Sequence, residues 1–569
     1  MKSRLLILKI FFTFLFVIFV LTSCAPNKEV KKQEKNSSFE YLNVFGGVLF
    51  DALGRVFSLK DGTFYVIAET YSPASAGDIP KSCNFKIHNL PNISNLEMED
   101  CGDIWIFQID PRKEDGKQII YSRCFGGTKG EGVMSVAITE DEQIVVFAVS
   151  NSDDGDLANE QIKGNKRWIF RVDPKRTWKE QITYSNSFNF SDFNVVNDIK
   201  FASKDIAYLY SNRKYQDGFM YNLKVIDLSK DRENSQTFNR DIFFTDIQLV
   251  RDAPILTKNK MVIGDNGILT ITISAVKDHL FMPNDIKKAL NVNRTTSYKE
   301  NKSKDDKKIK KRGIEADILV LSLNPKLSES DWILFSRFIG GNNNDFMPSI
   351  LKAKNEKYWI SFFSTSCDGE LKGIKSTDKD KKYSNMVLLK LNPNNSFDKQ
   401  IEYLRYFSLP KDEALGGLYS FAKDENDNIA FIANNLKRIK TKDDDNGNIV
   451  LENKDYDREK NVVFPYVEDE RFHKSYKLFY IDTKKDEVFY KDLYVLIDTC
   501  YALDFYDNSS LVFAMSTNSK PNVGDMPNYK ISVLENWINK KSSLDENFYS
   551  NILIGILPIK NMKKLEKEK

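Results

Sequence analysis

Histidine is almost missing from this chain: His88, His279 and His473 are the full set, and they lie far apart. A His-built metal centre or a Ser/His/Asp triad would need them to converge on one site, so both chemistries find little material here. No Gly-rich phosphate loop of the Walker or Rossmann kind occurs. Charge of one sign is also lacking: 83 Lys and Arg stand against 80 Asp and Glu, a formal net charge of +3. Lys2, Arg4 and Lys9 at the N-terminus account for that excess, which leaves the remainder balanced and argues against nucleic acid as a partner. Cysteine is sparse at 6 residues, and residues 5–21 form the one long apolar run.

What the chain does have is a phrase that returns. Phe45-Gly46-Gly47, Phe125-Gly126-Gly127 and Ile339-Gly340-Gly341 each precede an alternating apolar run, an acidic or polar turn, and a second alternating run. A third strand follows, often closed by Asp-Pro or Asn-Pro, as at Asp110-Pro111, Asp173-Pro174, Asn324-Pro325 and Asn392-Pro393, and a fourth leads into the next Gly-Gly. Proline removes a ladder donor and fixes a turn at a strand end. Short strands in repeating fours, over a chain too long for one ordinary core, predict an all-β, seven-bladed β-propeller of four-stranded antiparallel blades. The blades are placed to start near residues 45, 125, 190, 245, 339, 407 and 492. Residues 247–250 are an alternative first strand for the fourth.

The two ends of the chain complement each other. Residues 551–558 read as a third strand with no fourth after it, and residues 39–44 read as a fourth strand with no blade before it. The N-terminal strand is therefore expected to pair into the last blade and seal the ring, removing exposed sheet edges. The propeller spans residues 39–562, with a charged tail at 563–569.

Two resemblances add to this reading. Leu21-Thr22-Ser23-Cys24, after a basic start and an apolar stretch, resembles the lipobox of bacterial lipoproteins. That resemblance implies a signal peptide at 1–23, lipid on Cys24, a flexible tether at 24–38, and a membrane anchor in the bacterial cell envelope, at the outer membrane or cell surface. A transmembrane helix over residues 5–21 is the competing reading. The Gly-Gly phrase is similar to bacterial β-propeller repeats of the SBBP kind, which implies a fold and no single activity.

Of the other cysteines, Cys83 and Cys101 bracket one insertion and form the candidate disulfide, the alternative being that all five remain buried thiols. Insertions are expected at the second-to-third connections, all on one side of the disc, and loops on a rigid scaffold are where binding usually sits. Several insertions begin with Ser, Asp and Gly, marking Asp78, Asp153, Asp154, Asp156, Asp368 and Asp525 as candidate binding residues. Turn-building through side-chain to backbone hydrogen bonds is the plainer role for such residues, and a divalent cation the sharper one. The expectation is a monomeric, non-enzymatic binding or scaffold protein without cofactor or metal, meeting a protein or glycan. The alternative is a glycosidase-like enzyme using paired acids near the axis, although Ser58-Leu59-Lys60-Asp61-Gly62-Thr63-Phe64 does not meet the Asp-box order of sialidases.

Overall fold

The computed structural model describes residues 38–47, 51–72, 74–75, 77–83, 102–189, 195–215, 218–230, 236–246, 260–275, 317–327, 331–341, 345–364, 366, 369–372, 385–407, 413–437, 441–443, 449–451, 475–494, 497–517 and 551–565. Seven antiparallel sheets stand around an axis. Their first strands are Asp51–Ser58, Glu131–Ile138, Val195–Phe201, Met261–Ile263, Asp345–Lys352, Glu413–Lys423 and Ile497–Asp507. Each touches the first strand of the next blade, and the seventh returns to the first, so these strands line a closed channel. The fourth blade begins at Met261; residues 247–250 lie outside the described residues.

Ring closure follows the expected route. The N-terminal strand Tyr41–Phe45 lies antiparallel to Asn551–Pro558, with Asn43 opposite Ile554 and Phe45 opposite Ile552. Phe39 and Val44 bury one side of that strand against Phe513 and Leu553, while Phe45 joins Ile552, Ile554 and Ile556 in the next inter-blade cluster. The expected tail departs from expectation at its start. Lys563–Lys564 adds a short fifth strand to the sixth blade, with the Leu565 N–H donating to the Val488 carbonyl at 2.8 Å. Met562, buried beside the closing blade, anchors the chain just ahead of that strand.

The repeat is visible at the level of single atoms. Trp105 and Trp168 occupy the same place in the third strands of blades 1 and 2 and stack on Phe107 and Phe170 at 4.0 and 3.9 Å. Their indole N–H groups donate to Ser122 and Ser185 of the fourth strands, both at 2.9 Å. Each buried aromatic of this size contributes roughly 2–3 kcal/mol through burial. The Asp-Pro and Asn-Pro ends build one turn four times over: Asp110, Asp173, Asn324 and Asn392 each accept from the N–H two residues on at 3.1 Å. Proline fills the middle position, where no N–H is required.

Connection lengths differ sharply between the two faces. First-to-second turns are short, from residues 508–509 up to 59–63 or 139–143. Second-to-third connections span 71–102, 151–165, 276–316, 365–384, 438–474 and 518–550, with a two-residue exception at 216–217 in blade 3. Since strands in a blade alternate in direction, all of the long connections leave from the same face.

Candidate functional site

On the insertion-bearing face, the Gly-Gly phrase and the starts of the insertions form one repeated clasp. At the head of blades 1, 2 and 5 a buried carboxylate accepts the N–H of the second glycine four residues back. Gly47 reaches Asp51 at 2.7 Å, Gly127 reaches Glu131 at 3.2 Å and Gly341 reaches Asp345 at 3.0 Å. Hydroxyls at the end of the second strand complete the ring: Ser150 donates to Glu131 at 2.7 Å and Ser366 to Asp345 at 3.0 Å. Burial pushes Asp51 and Asp345 up to about 7 and Glu131 to about 8. The hydroxyls and glycine N–H groups oppose that rise, while the neighbouring carboxylates Asp103 and Asp317 reinforce it at Glu131 and Asp345. Gly126 shows why glycine is required, because at φ 151° a Cβ there would strike the carboxylates of both Glu131 and Asp103.

The insertion then folds back on the same glycines. Asp156 donates its N–H to the Gly126 carbonyl at 3.0 Å and accepts from Gly126 at 3.2 Å; Asp78 makes the equivalent pair with Gly46 at 3.0 and 3.1 Å. Glu370 donates to Gly340 at 3.3 Å in blade 5. Gly155, at φ 60°, lies so close to Gly126 and Gly127 that a side chain has no room.

Arginine ties this clasp to the neighbouring blade. Arg123 donates to the Trp178 carbonyl at 2.5 Å, to Gln181 at 2.9 Å and to Asp156 at 2.9 Å. Arg337 repeats the set on Phe397, Gln400 and Glu370 at 2.6, 2.6 and 2.5 Å. At the ring closure, Asn43 takes the arginine's place and donates to Gln118 at 2.6 Å.

The expected binding carboxylates are thus engaged by the chain itself. Asp78 and Asp156 hold the glycine clasp, and Asp153 accepts from Gly164 at 2.8 Å and from the buried Lys166 at 2.9 Å, which lowers its pKa. Asp154 accepts the N–H and hydroxyl of Thr128, each at 2.8 Å, and is likewise lowered. Asp368, Asp525 and Cys24 lie outside the described residues. These bonds reach across 11 to 33 residues, so the four described carboxylates tie the insertions to the blade junctions and to neighbouring side chains, where the sequence pointed to local turns.

The disulfide reading needs correction. Cys83 bonds to Cys124, with Cα atoms 4.9 Å apart, and not to Cys101, which lies outside the described residues. The start of the insertion docks along the fourth strand of its own blade: Ile79 and Cys83 pack with Cys124 and Trp105, and the Cys124 N–H donates to the Ser82 hydroxyl at 3.0 Å. Sequence proximity favoured a loop closed on itself, whereas apolar burial carried it across the blade. Asp103 lies beside these two sulfurs, completing the one grouping among the described residues compact enough for a metal, but the disulfide consumes both thiols.

Sequence reasoning missed the second region, at the opposite end of the channel. A cavity of about 350 Å³ is bounded by first strands and turns of blades 1 to 5, including Arg55, Phe57, Glu140, Lys200, Phe201, Lys204 and Lys352. A β-bulge in the first strand precedes Arg55 in blade 1 and Asp198 in blade 3, and such bulges re-aim the side chains that follow them. Lys200 pairs with Asp198 at 3.3 Å. Asp198 also accepts the N–H groups of Ile199, Lys260 and Met261 at 2.9, 3.0 and 3.0 Å, while Asp504 accepts those of Ser58 and Phe505 at 3.1 and 2.9 Å. Burial raises both carboxyls and lowers Arg55, Lys200 and Lys260, the last to about 7. A charged pair at i and i+2, Asp198 and Lys200, inside an innermost strand was the available signal.

No protein-family model and no curated protein sequence matches the chain. Solved structures are similar at the level of backbone. A protein of unknown function from Dyadobacter fermentans aligns over 92% of this chain and 98% of its own at 8% identity, with a TM-score of 0.36. An ulvan-type polysaccharide lyase aligns over 85% and 94% at 10% identity and TM-score 0.34, and a Hadza microbial sialidase over 91% and 68% at 8% and 0.30. At such identities and scores no activity is transferred to this chain.

Proposed function

We propose that the chain is a lipid-anchored propeller of the bacterial envelope, held to the membrane through Cys24, that binds a protein or glycan on its insertion-bearing face without catalysing a reaction. The observation that supports this most is the one-sided distribution of long connections, six of them rooted on a single face. In blades 1, 2 and 5 the roots are pinned by the glycine clasps, a rigid base for variable loops. Capture from detergent-solubilised membranes, with the insertions intact or shortened, tests the face: partners retained after shortening contradict it. Fatty-acid labelling tests the anchor, and labelling that persists in Cys24→Ser contradicts it.

One observation favours the enzyme alternative: the buried Asp198 and half-buried Asp504 are carboxyls at the channel with raised pKa values, as a general acid requires. Against it, each accepts at least two backbone N–H groups, which fix the ionised oxygens in place. Hydrolysis of a polysaccharide panel that is lost in Asp198→Asn would establish the enzyme reading in place of the binding one.

A further inference from the structure

The direction of the N-terminal strand fixes the end of the disc at which the chain enters the ring. Tyr41 pairs with Ile556 near the close of Asn551–Pro558, and Phe45 pairs with Ile552 near its start, so Ser38 stands where the last third strand ends. There the Asn561 side chain donates to the Ser38 carbonyl at 2.7 Å, and the Ile559 N–H donates to Ser509, in the short first-to-second turn of blade 7, at 2.8 Å. Ser38 therefore lies at the turn end, opposite the insertions. Residues 24–37 join it to Cys24. A flexible chain of that length spans about 20 Å, whereas a strand of 7 residues is about 23 Å deep, so an anchor on Cys24 holds the turn end nearest the bilayer.

The side chains of that end point to the same partner. Among the described residues the exposed large hydrophobics are Ile120, Trp178, Leu327 and Leu334. Trp178 and Leu327 lie in the third-to-fourth connections at 173–181 and 324–332, and Ile120 and Leu334 are the second residues of fourth strands, just past such connections. All four are at the turn end, and the described starts of the insertions carry none. They are spread over blades 1, 2 and 4, which suits a flat partner better than a ligand held in one pocket. Trp178 keeps its ring centre 4.5 Å from the Arg123 guanidinium and exposes the rest of the indole. Exposed Lys113, Lys117 and Lys179 stand among exposed Glu114, Asp115 and Glu140, a mixed surface suited to zwitterionic headgroups, at whose level amphipathic Trp and Lys side chains settle.

We propose that the turn end of the disc rests on a zwitterionic lipid surface, with Trp178 and Leu327 among the headgroups and the insertions directed away from the membrane. This rests on the lipid-anchor reading of Cys24 and gives that anchor an orientation.

The acylated full chain, reconstituted in phosphatidylcholine vesicles that carry a headgroup spin label, tests this through tryptophan fluorescence. The vesicles quench the wild type, and Trp178→Phe, which keeps the carbonyl that Arg123 uses, lowers that quenching by about twofold or more. Trp537→Phe, in the 518–550 insertion, leaves it unchanged. Quenching that Trp178→Phe does not alter, or that Trp537→Phe removes, would overturn the orientation while the anchor stands. Fatty-acid labelling reports the anchor separately: a wild type that takes no label loses the anchor and the proposal with it, whatever the vesicles show. Sedimentation of a wild-type dimer that becomes a monomer in Leu327→Ser would assign these side chains to a second copy of the chain and overturn the proposal too.

Discussion

At the insertion-bearing end of the disc, Asp51, Glu131 and Asp345 are buried and each accepts a glycine N–H; at the turn end, the half-buried Arg55 and Lys200 line a cavity. In the first region the carboxylates Asp51, Glu131 and Asp345 each take the second glycine of the Gly-Gly step that leads into their own blade, and the arrangement repeats in blades 1, 2 and 5. In the second, the charges come from strands far apart in sequence and occur once each. Repetition marks what the fold reuses from blade to blade, and charges that break the repeat mark what one particular position does.

The contrast is sharpest for arginine. Arg123 is 7% exposed and satisfies a carbonyl, an amide and a carboxylate of the next blade. Arg123→Ala strands all three, so chemical unfolding is expected to show a loss of about 3–5 kcal/mol, and Arg337→Ala a similar one. A loss below about 1 kcal/mol would mean that the clasp is not a structural unit. Second in size is the disulfide, which closes a separation of 41 residues. Cys124→Ser should cost about 2–4 kcal/mol, and peptide mapping without reductant should recover Cys83 joined to Cys124. Recovery of Cys83 joined to Cys101 would refute the docking of that insertion.

Acidity separates the regions next. Asp51, Glu131 and Asp345 hold their protons in the folded chain up to about 7, about 8 and about 7, against ordinary values of 3.8, 4.5 and 3.8. Between those limits the folded state binds more protons than the unfolded one, so stability falls as pH rises through the window. Melting temperature is expected to be higher at pH 5.5 than at pH 7.5, each group contributing about 1–2 kcal/mol of the difference. The triple change Asp51→Asn, Glu131→Gln, Asp345→Asn should flatten that slope, and an unaltered slope would assign it elsewhere.

These differences also explain how much could be read from the sequence. The blades, the Asp-Pro and Asn-Pro turns and the closing strand were legible because each rests on local spacing that repeats. The loop-start acids were visible too, but Asp78 and Asp156 bond to glycines 32 and 30 residues back in place of building local turns. The channel was hidden because Arg55, Lys200 and Lys352 become neighbours through ring geometry alone, and a bulge decides which way Arg55 points. Cys124 was set aside as a partner because Cys83 and Cys101 bracket one insertion while it lies beyond it, and the apolar contact of Ile79 that draws the loop over it has no periodic signature.

Both regions depend on a ring closed by the N-terminal strand, and deleting residues 39–45 tests that closure most directly. Without it Ile552, Leu553 and Ile554 lose their cover, and thermal unfolding should show a fall of roughly 10 °C or more. A shift under about 2 °C would contradict the closed ring and the division of faces built on it.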